Sequence, residues 1–190
     1  MPDYFEQKFT DKAVEHIKQI TDAKNKELKY NNLAVEYDTR WIGTCGELTF
    51  KKWLDKRSLY YEYFATANTV DEYDFILFGD SVLTVDVKTV GADAIPPKHY
   101  ACNVAVSQYN KMDRKKQIDI LVFARYIKPE NKCVLLGWIS FEGFKKCAVF
   151  KKAGSHINIR SDIYECKISD LNPLKDSFDY ETKDGKVYVL

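Results

Sequence analysis

Two continuous apolar runs constrain the fold of this chain more than any other feature: residues 118–127 (IDILVFARYI) and residues 133–140 (CVLLGWIS). Each run has the length of a strand and is rich in β-branched and aromatic side chains, and the turn sequence KPENK separates them. A strand that is apolar on both sides is buried on both sides, which requires a covering layer on each face of its sheet. The two runs therefore predict a central β-sheet covered by helices.

The remaining segments indicate which elements surround that sheet. Apolar residues at helical spacing predict helices over residues 11–30 and 41–57 and a short helix over residues 141–147. Strand patterns occur in the aromatic-rich residues 59–67, the apolar residues 74–78 and the alternating residues 81–90, and the tail 179–190 reads as a hairpin. Residues 103–117 fit a strand or a helix. This order predicts an α/β (α+β) domain with a central mixed β-sheet flanked by helices.

Composition excludes several classes of protein. The formal net charge is +1, so no overall field would draw the chain to nucleic acid, although a local basic patch remains compatible with that sum. The five cysteines are widely spaced without a CxxC pair, which favours reduced core thiols over a zinc or iron–sulfur site. No apolar stretch approaches the ~20 residues of a membrane span. We expect a protein of the cytoplasm that does not bind a membrane.

Charged residues interrupt the predicted hairpin formed by residues 74–78 and 81–90. Side chains alternate along a strand, so Asp86 and Lys88 project from the same face, ~6.5 Å apart. Asp74 opens the preceding strand, and a tight turn after residue 78 would place it beside Asp86 and Lys88 at one end of the hairpin. The sequence therefore predicts two carboxylates and an ammonium group close together.

Two neighbouring carboxylates repel each other unless a cation lies between them. Mg²⁺, or Mn²⁺ in its place, suits such a pair, and the backbone carbonyl of Val87 would supply a third oxygen. Lys88 could then orient or deprotonate an attacking water, or neutralise charge on a phosphate, which is the chemistry of phosphodiester hydrolysis. The alternative is ordinary: Asp-x-Lys on a strand is often a solvated ion pair of little consequence.

The preceding helix carries the sequence GTCGE, which ends at Glu47. A helix with Glu, then a hairpin with Asp and a following Asp-x-Lys, resembles the PD-(D/E)XK nuclease superfamily, in particular its restriction-endonuclease-like and RecB-like branches. The resemblance covers about residues 40–140 and implies a restriction-endonuclease-like core. It implies that Glu47, Asp74 and Asp86 hold the metal, that Lys88 positions the nucleophile, and that DNA is the substrate.

The chain also departs from that family pattern. Tyr73 stands where the family has a nominal Pro, and Gln108 is followed four residues later by Met112, where RecB-like members have Tyr. Gln108 remains a candidate for contacting the metal-bound water or a phosphate. We expect one nuclease-like domain over residues 1–190, with the N-terminal helix and the strand-rich tail packed on its core, similar to a stand-alone, phage-type nuclease.

Basic residues outside the acidic set are candidates for binding the phosphate backbone. The resemblance requires such residues, since the site itself is acidic, although runs of lysine are more often solvated faces. The candidates are Lys51, Lys52, Lys151, Lys152 and Arg160.

The leading hypothesis is a divalent-metal-dependent nuclease with nucleic acid as its partner, DNA favoured, although nothing in the residues excludes RNA. One alternative is a non-catalytic module on the same fold that binds nucleic acid or a protein. Another is an unrelated α/β domain in which Asp86 and Lys88 simply form a surface pair. Assembly into a homo-oligomer is left open.

Overall fold

A computed structural model of the chain describes residues 4–27, 40–64, 73–79, 81–115, 118–156, 159–174, 179–181 and 187–189; for residues 23–27, for Lys115 and for those from 179 onward only the backbone is described. The helices are α1 (Asp11–Glu27), α2 (Arg40–Lys56), α3 (Val106–Lys115) and α4 (Phe141–Cys147). The strands are β1 (Phe5–Lys8), β2 (Tyr60–Tyr63), β3 (Phe75–Phe78), β4 (Val82–Ala92), β5 (Ala101–Ala105), β6 (Ile120–Ile127), β7 (Lys132–Ser140), β8 (Val149–Lys151), β9 (Ile163–Lys167), β10 (Asp179–Glu181) and β11 (Val187–Val189).

Within these residues, six strands form one mixed sheet in the order β1-β7-β6-β4-β3-β2. Strands β4 and β6 are parallel, and the other neighbours are antiparallel. A parallel pair needs a long crossover connection, which β5 and α3 provide between β4 and β6. All eight residues of β6 are buried, as expected of a strand covered on both faces. The predicted fold class, a central mixed sheet flanked by helices, is confirmed.

The sheet has a hydrophobic core on each face. On one face, α2 buries Phe50 and Trp53, whose stacked rings lie 5.6 Å apart, against Val85 and Val87 of β4. On the other face, Phe123 of β6 belongs to a second core together with residues of α4 and of the small sheet β5-β9-β8. Asp86 and Lys88 are set against Leu121 and Phe123 of β6, which places them on this second face.

The structure contains strands that the sequence patterns did not predict. Residues 5–8 form β1 on the edge of the sheet beside β7. Residues 149–151 and 163–167 form β8 and β9, which pair with each other, and β9 also pairs with β5. The partners of β1 and β5 are remote in sequence, so local pattern carries little information about them.

The remaining expectations are confirmed in part or concern residues that the structure does not describe. Residues 103–117 divide: 103–105 end β5, and α3 begins at Val106. The tail hairpin is confirmed by the antiparallel pair β10–β11. The predicted extension of α1 to residue 30 and the strand residues 65–67 lie outside the described residues. No helix in the described ranges is both long enough and apolar enough to cross a membrane. That residues 1–190 form one domain stays a prediction.

Candidate active site

The end of the β3–β4 hairpin holds Asp74 in place. Strand β3 accompanies β4 only from Val85 to Val82, while β4 continues to Ala92 beside β6. Asp74 lies where β3 begins: its N–H donates to the Val85 carbonyl at 2.9 Å, and its Oδ2 accepts the Val87 N–H at 2.7 Å. A side-chain carboxylate thus takes the position that a backbone carbonyl would occupy in a longer strand pair. The predicted juxtaposition of Asp74 with the Asp86 segment is present.

Asp86 and Lys88 form a nearly buried ion pair on β4. The Lys88 Nζ lies 2.6 Å from Asp86 Oδ2, and only 16% and 10% of the two side chains are exposed. Among the described residues, no second group donates a hydrogen bond to this buried oxygen. The surface-pair alternative therefore does not describe this site, because surface ion pairs are weak only where water surrounds both charges.

Glu47 approaches from α2, which covers the other face of β4. Gly46 permits this close approach: a Cβ at residue 46 would lie 1.8 Å from Thr89 Oγ1. Glu47 lies in the middle of α2 rather than in its first turn, so interaction with the helix dipole does not account for it. Its Oε2 accepts a hydrogen bond from the Tyr63 hydroxyl at 2.8 Å.

Burial and neighbouring charges shift the pKa values of two groups in the site. Burial raises the pKa of Asp74 well above its usual value, and the negative charges of Asp86 and Glu47 raise it further, against the opposing effects of Lys88 and of the Val87 N–H. Burial lowers the pKa of Lys88, but the carboxylates of Asp86, Asp74 and Glu47 outweigh this effect, so its pKa is raised overall. The carboxyl groups of Glu47, Asp74 and Asp86 therefore lie in one electrostatic environment, in which the Lys88 ammonium group compensates the charge of Asp86.

The donor set of this site can be compared with what a divalent metal requires. In the described ranges, no three acidic, histidine or cysteine side chains approach closely enough to form a metal centre. Mg²⁺, however, is commonly held by one or two carboxylates, with water completing its shell. The Val87 carbonyl adds an oxygen on the same side, since the N–H and C=O of one strand residue point to the same edge and the Val87 N–H meets Asp74. The carboxylates give the site an excess of negative charge, and among the described residues Asp86 Oδ2 has Lys88 as its one close partner. Both properties suit a hard cation.

The other sequence candidates lie outside this group of contacts. Gln108 is exposed on α3. Lys51 lies one turn beyond Glu47 on α2 and pairs with Asp55 at 3.2 Å. Lys151 lies 3.7 Å from Glu165. Exposed positions are held by Lys52, Lys152 and Arg160. No contact between these candidates and Asp74, Asp86 or Lys88 is seen in the part of the chain that the structure describes, and their roles stay predictions.

Two features of the site region were not anticipated from sequence. Tyr63, whose hydroxyl contacts Glu47, belongs to an alternating aromatic run in which Tyr61 and Tyr63 share one face; this periodicity is the signal that could have identified it. Three cysteines also come together on the second face of the sheet, namely Cys102, Cys147 and Cys166. Burial raises the pKa of each of these thiols, which fits the expectation of reduced core cysteines.

Comparison of the sequence with protein-family models and with curated proteins gives no match. Two solved structures are similar to the fold. One is Hjc, a Holliday junction resolvase of Archaeoglobus fulgidus, with 11% identity, a TM-score of 0.37, and coverage of 68% of this chain and 86% of that one. The other is D212, a nuclease from a fusselovirus, with 16% identity, a TM-score of 0.40, and coverage of 78% and 92%.

By their names, the first of these proteins is a Holliday junction resolvase and the second a nuclease. Since both TM-scores lie below 0.5, neither likeness assigns an activity, and the chemistry rests on the residues described above. On one mixed sheet, the elements follow in the order helix α2, hairpin β3–β4, crossover helix α3 and strand β6, and the helix and hairpin carry the motif residues in the order that the resemblance required.

Proposed function

We propose that this protein is a divalent-metal-dependent nuclease that hydrolyses phosphodiester bonds, with DNA as the favoured substrate. The observation that carries the proposal is the meeting of Asp74, Asp86 and Lys88 where β3 and β4 part, with the charge of Glu47 acting on the same groups. Buried, mutually repelling carboxylates are unfavourable for folding, and an active site that binds a cation gives them a use.

In this proposal Asp74, Asp86, Glu47 and the Val87 carbonyl hold Mg²⁺ or Mn²⁺. When bound, the metal supplies Lewis-acid stabilisation of the phosphate charge and lowers the pKa of a coordinated water. The ammonium of Lys88 is fixed by Asp86 at 2.6 Å, so it can orient the attacking water or contact the phosphate without a large rearrangement. Against the effect of burial, the neighbouring carboxylates raise the pKa of Lys88, which supports an electrostatic role for its ammonium group.

The phosphate backbone would be bound by basic residues around the site. Lys52 and Lys152 are exposed, and Lys51 would have to leave its exposed partner Asp55 and the Tyr61 ring. Gln108 and Arg160 complete the proposed substrate contacts. Such contacts predict that binding weakens steeply with added salt. We also propose that the protein acts in the cytoplasm, and its assembly state stays open.

The test is cleavage of labelled single- and double-stranded DNA, with RNA alongside, in Mg²⁺, Mn²⁺ and EDTA. We expect metal-dependent cleavage that is lost in Asp86→Asn and Lys88→Ala. The matched control is Asp93→Asn, which neutralises an exposed carboxylate just past the end of β4. Cleavage that persists in EDTA, or that survives Asp86→Asn, would contradict the proposal.

A non-catalytic module that binds nucleic acid is the second candidate. It is favoured by one observation: Lys88 already compensates the charge of Asp86. It predicts metal-independent binding of DNA that Asp86→Asn leaves unchanged, with no cleavage under any condition. The same set of proteins therefore separates the two functions.

A further inference from the structure

Tyr63 on β2 connects two parts of the site that are otherwise on different elements. Its hydroxyl donates to Glu47 Oε2 at 2.8 Å, and its ring stacks on Phe75 with centroids 4.7 Å apart and planes inclined by 17°. Phe75 is the residue next to Asp74 and is the cross-strand partner of Tyr63. The next residue, Phe64, donates its N–H to the Asp74 carbonyl at 2.9 Å. One short segment therefore contacts both Glu47 and the Asp74 end of β3.

Electrostatic repulsion between carboxylates gives the hydrogen bond from Tyr63 to Glu47 a structural role. The segment of Tyr63 and Phe64 holds Glu47 and Asp74 near each other, and repulsion between two neighbouring carboxylates would favour a rotamer that turns Glu47 away from the site. A hydrogen bond from a hydroxyl to a carboxylate is among the stronger side-chain bonds and opposes this rotation. Because the Tyr63 ring is already fixed against Phe75, little conformational entropy is lost when its hydroxyl holds the carboxylate.

We propose that Tyr63 is a positioning residue of this site, whose hydroxyl keeps the Glu47 carboxylate near Asp74. This inference rests on the proposed function, since the orientation matters only if Glu47 is a metal ligand. Tyr63 acts through Glu47 and takes no part in the chemical step. Loss of such a supporting hydrogen bond typically weakens metal binding by about 10–100-fold.

The chain supplies a matched control on the same strand. Tyr61 lies two residues away and therefore on the same face of β2, and its ring packs edge-on against Phe75 at 6.0 Å. Its hydroxyl donates to Asp55, two turns beyond Glu47 on α2. Tyr61→Phe and Tyr63→Phe thus remove the same group from similar surroundings, and Tyr63→Phe is the one that removes the hydrogen bond to Glu47 Oε2.

The measurement is calorimetric titration of the full chain with Mn²⁺ alone, for wild type, Tyr63→Phe, Tyr61→Phe and Glu47→Gln. We expect about 10–100-fold weaker binding for Tyr63→Phe and wild-type binding for Tyr61→Phe. Thermal unfolding in EDTA shows whether either variant has merely lost stability. In cleavage assays, raised Mn²⁺ is expected to restore the kcat of Tyr63→Phe, which a general loss of structure would not allow.

The possible failures are distinguishable. If Glu47→Gln weakens Mn²⁺ binding but Tyr63→Phe binds like wild type, the positioning role is wrong and the metal site stands. An equal loss in Tyr61→Phe and Tyr63→Phe would also overturn it, because the effect would not depend on Glu47. If the wild type binds no Mn²⁺, this inference and the proposed function are both refuted.

Discussion

Lys88→Ala is expected to destabilise the protein far more than loss of an ordinary ion pair. The ammonium lies 2.6 Å from Asp86 Oδ2, and the two side chains are only 16% and 10% exposed. Removing one partner of a buried pair typically costs about 3–5 kcal/mol, because the remaining charge is left without compensation. Since both side chains keep some contact with solvent, we expect a loss near the lower limit, about 3 kcal/mol.

The assay is urea unfolding at pH 7.5 in EDTA, with the free energy of unfolding taken from the midpoint and slope. Lys51→Ala is the comparison, because Lys51 and Asp55 lie 3.2 Å apart but are 38% and 51% exposed. An exposed pair of this kind contributes about 0.2–1 kcal/mol. Equal losses in Lys88→Ala and Lys51→Ala would refute the view that Asp86 is a buried charge dependent on Lys88.

A second variant separates charge from packing. Asp86→Val/Lys88→Met removes both charges while retaining most of the side-chain volume, and buried pairs replaced by apolar residues often lose no stability. We expect the double variant to recover most of the stability lost in Lys88→Ala. Mn²⁺ is expected to stabilise Lys88→Ala more than wild type, because the cation would supply the missing positive charge.

Two further perturbations test the surroundings of the site. Asp74→Asn should raise the Tm in EDTA at pH 7.5. The raised pKa of Asp74 means that the native state favours its neutral form, so wild-type stability is lost as pH rises from the unfolded pKa of about 3.9 through the folded pKa. In acid, where Asp74 is neutral in both states, the advantage of Asn should vanish. A variant that is less stable than wild type at pH 7.5 would contradict this. Gly46→Ala places a Cβ 1.8 Å from Thr89 Oγ1 and should lower the free energy of unfolding in urea by about 1–3 kcal/mol, a loss that Thr89→Ala should partly recover. Gly43→Ala has nothing within 4 Å of its Cβ and should leave the free energy of unfolding unchanged or raise it by up to about 1 kcal/mol. Equal effects at both glycines would show that α2 is not in close contact with β4.

Side-chain pattern was sufficient for the parts of the fold that depend on local rules. The apolar runs at residues 118–127 and 133–140 became β6 and β7, covered on both faces, because such strands cannot be exposed to water. Alternation along β4 was enough to place Asp86 and Lys88 together on one face. The hairpin signal likewise predicted that Asp74 lies near them, and in the structure the Val87 N–H holds Asp74 there by donating a hydrogen bond to its Oδ2.

Other features depend on segments that meet only in the folded chain. β5 and β9 pair although some sixty residues separate them, and no local periodicity encodes such a partner. The approach of Glu47 requires α2 to lie against β4 at Gly46, and its orientation depends on a hydroxyl from β2. The raised pKa of Asp74 also arises only on folding, because burial and the negative charges of Asp86 and Glu47 act together there and nowhere in the extended chain. The residue types and their order suggest the chemistry; the exclusion of water and the distances between carboxylates come from tertiary packing.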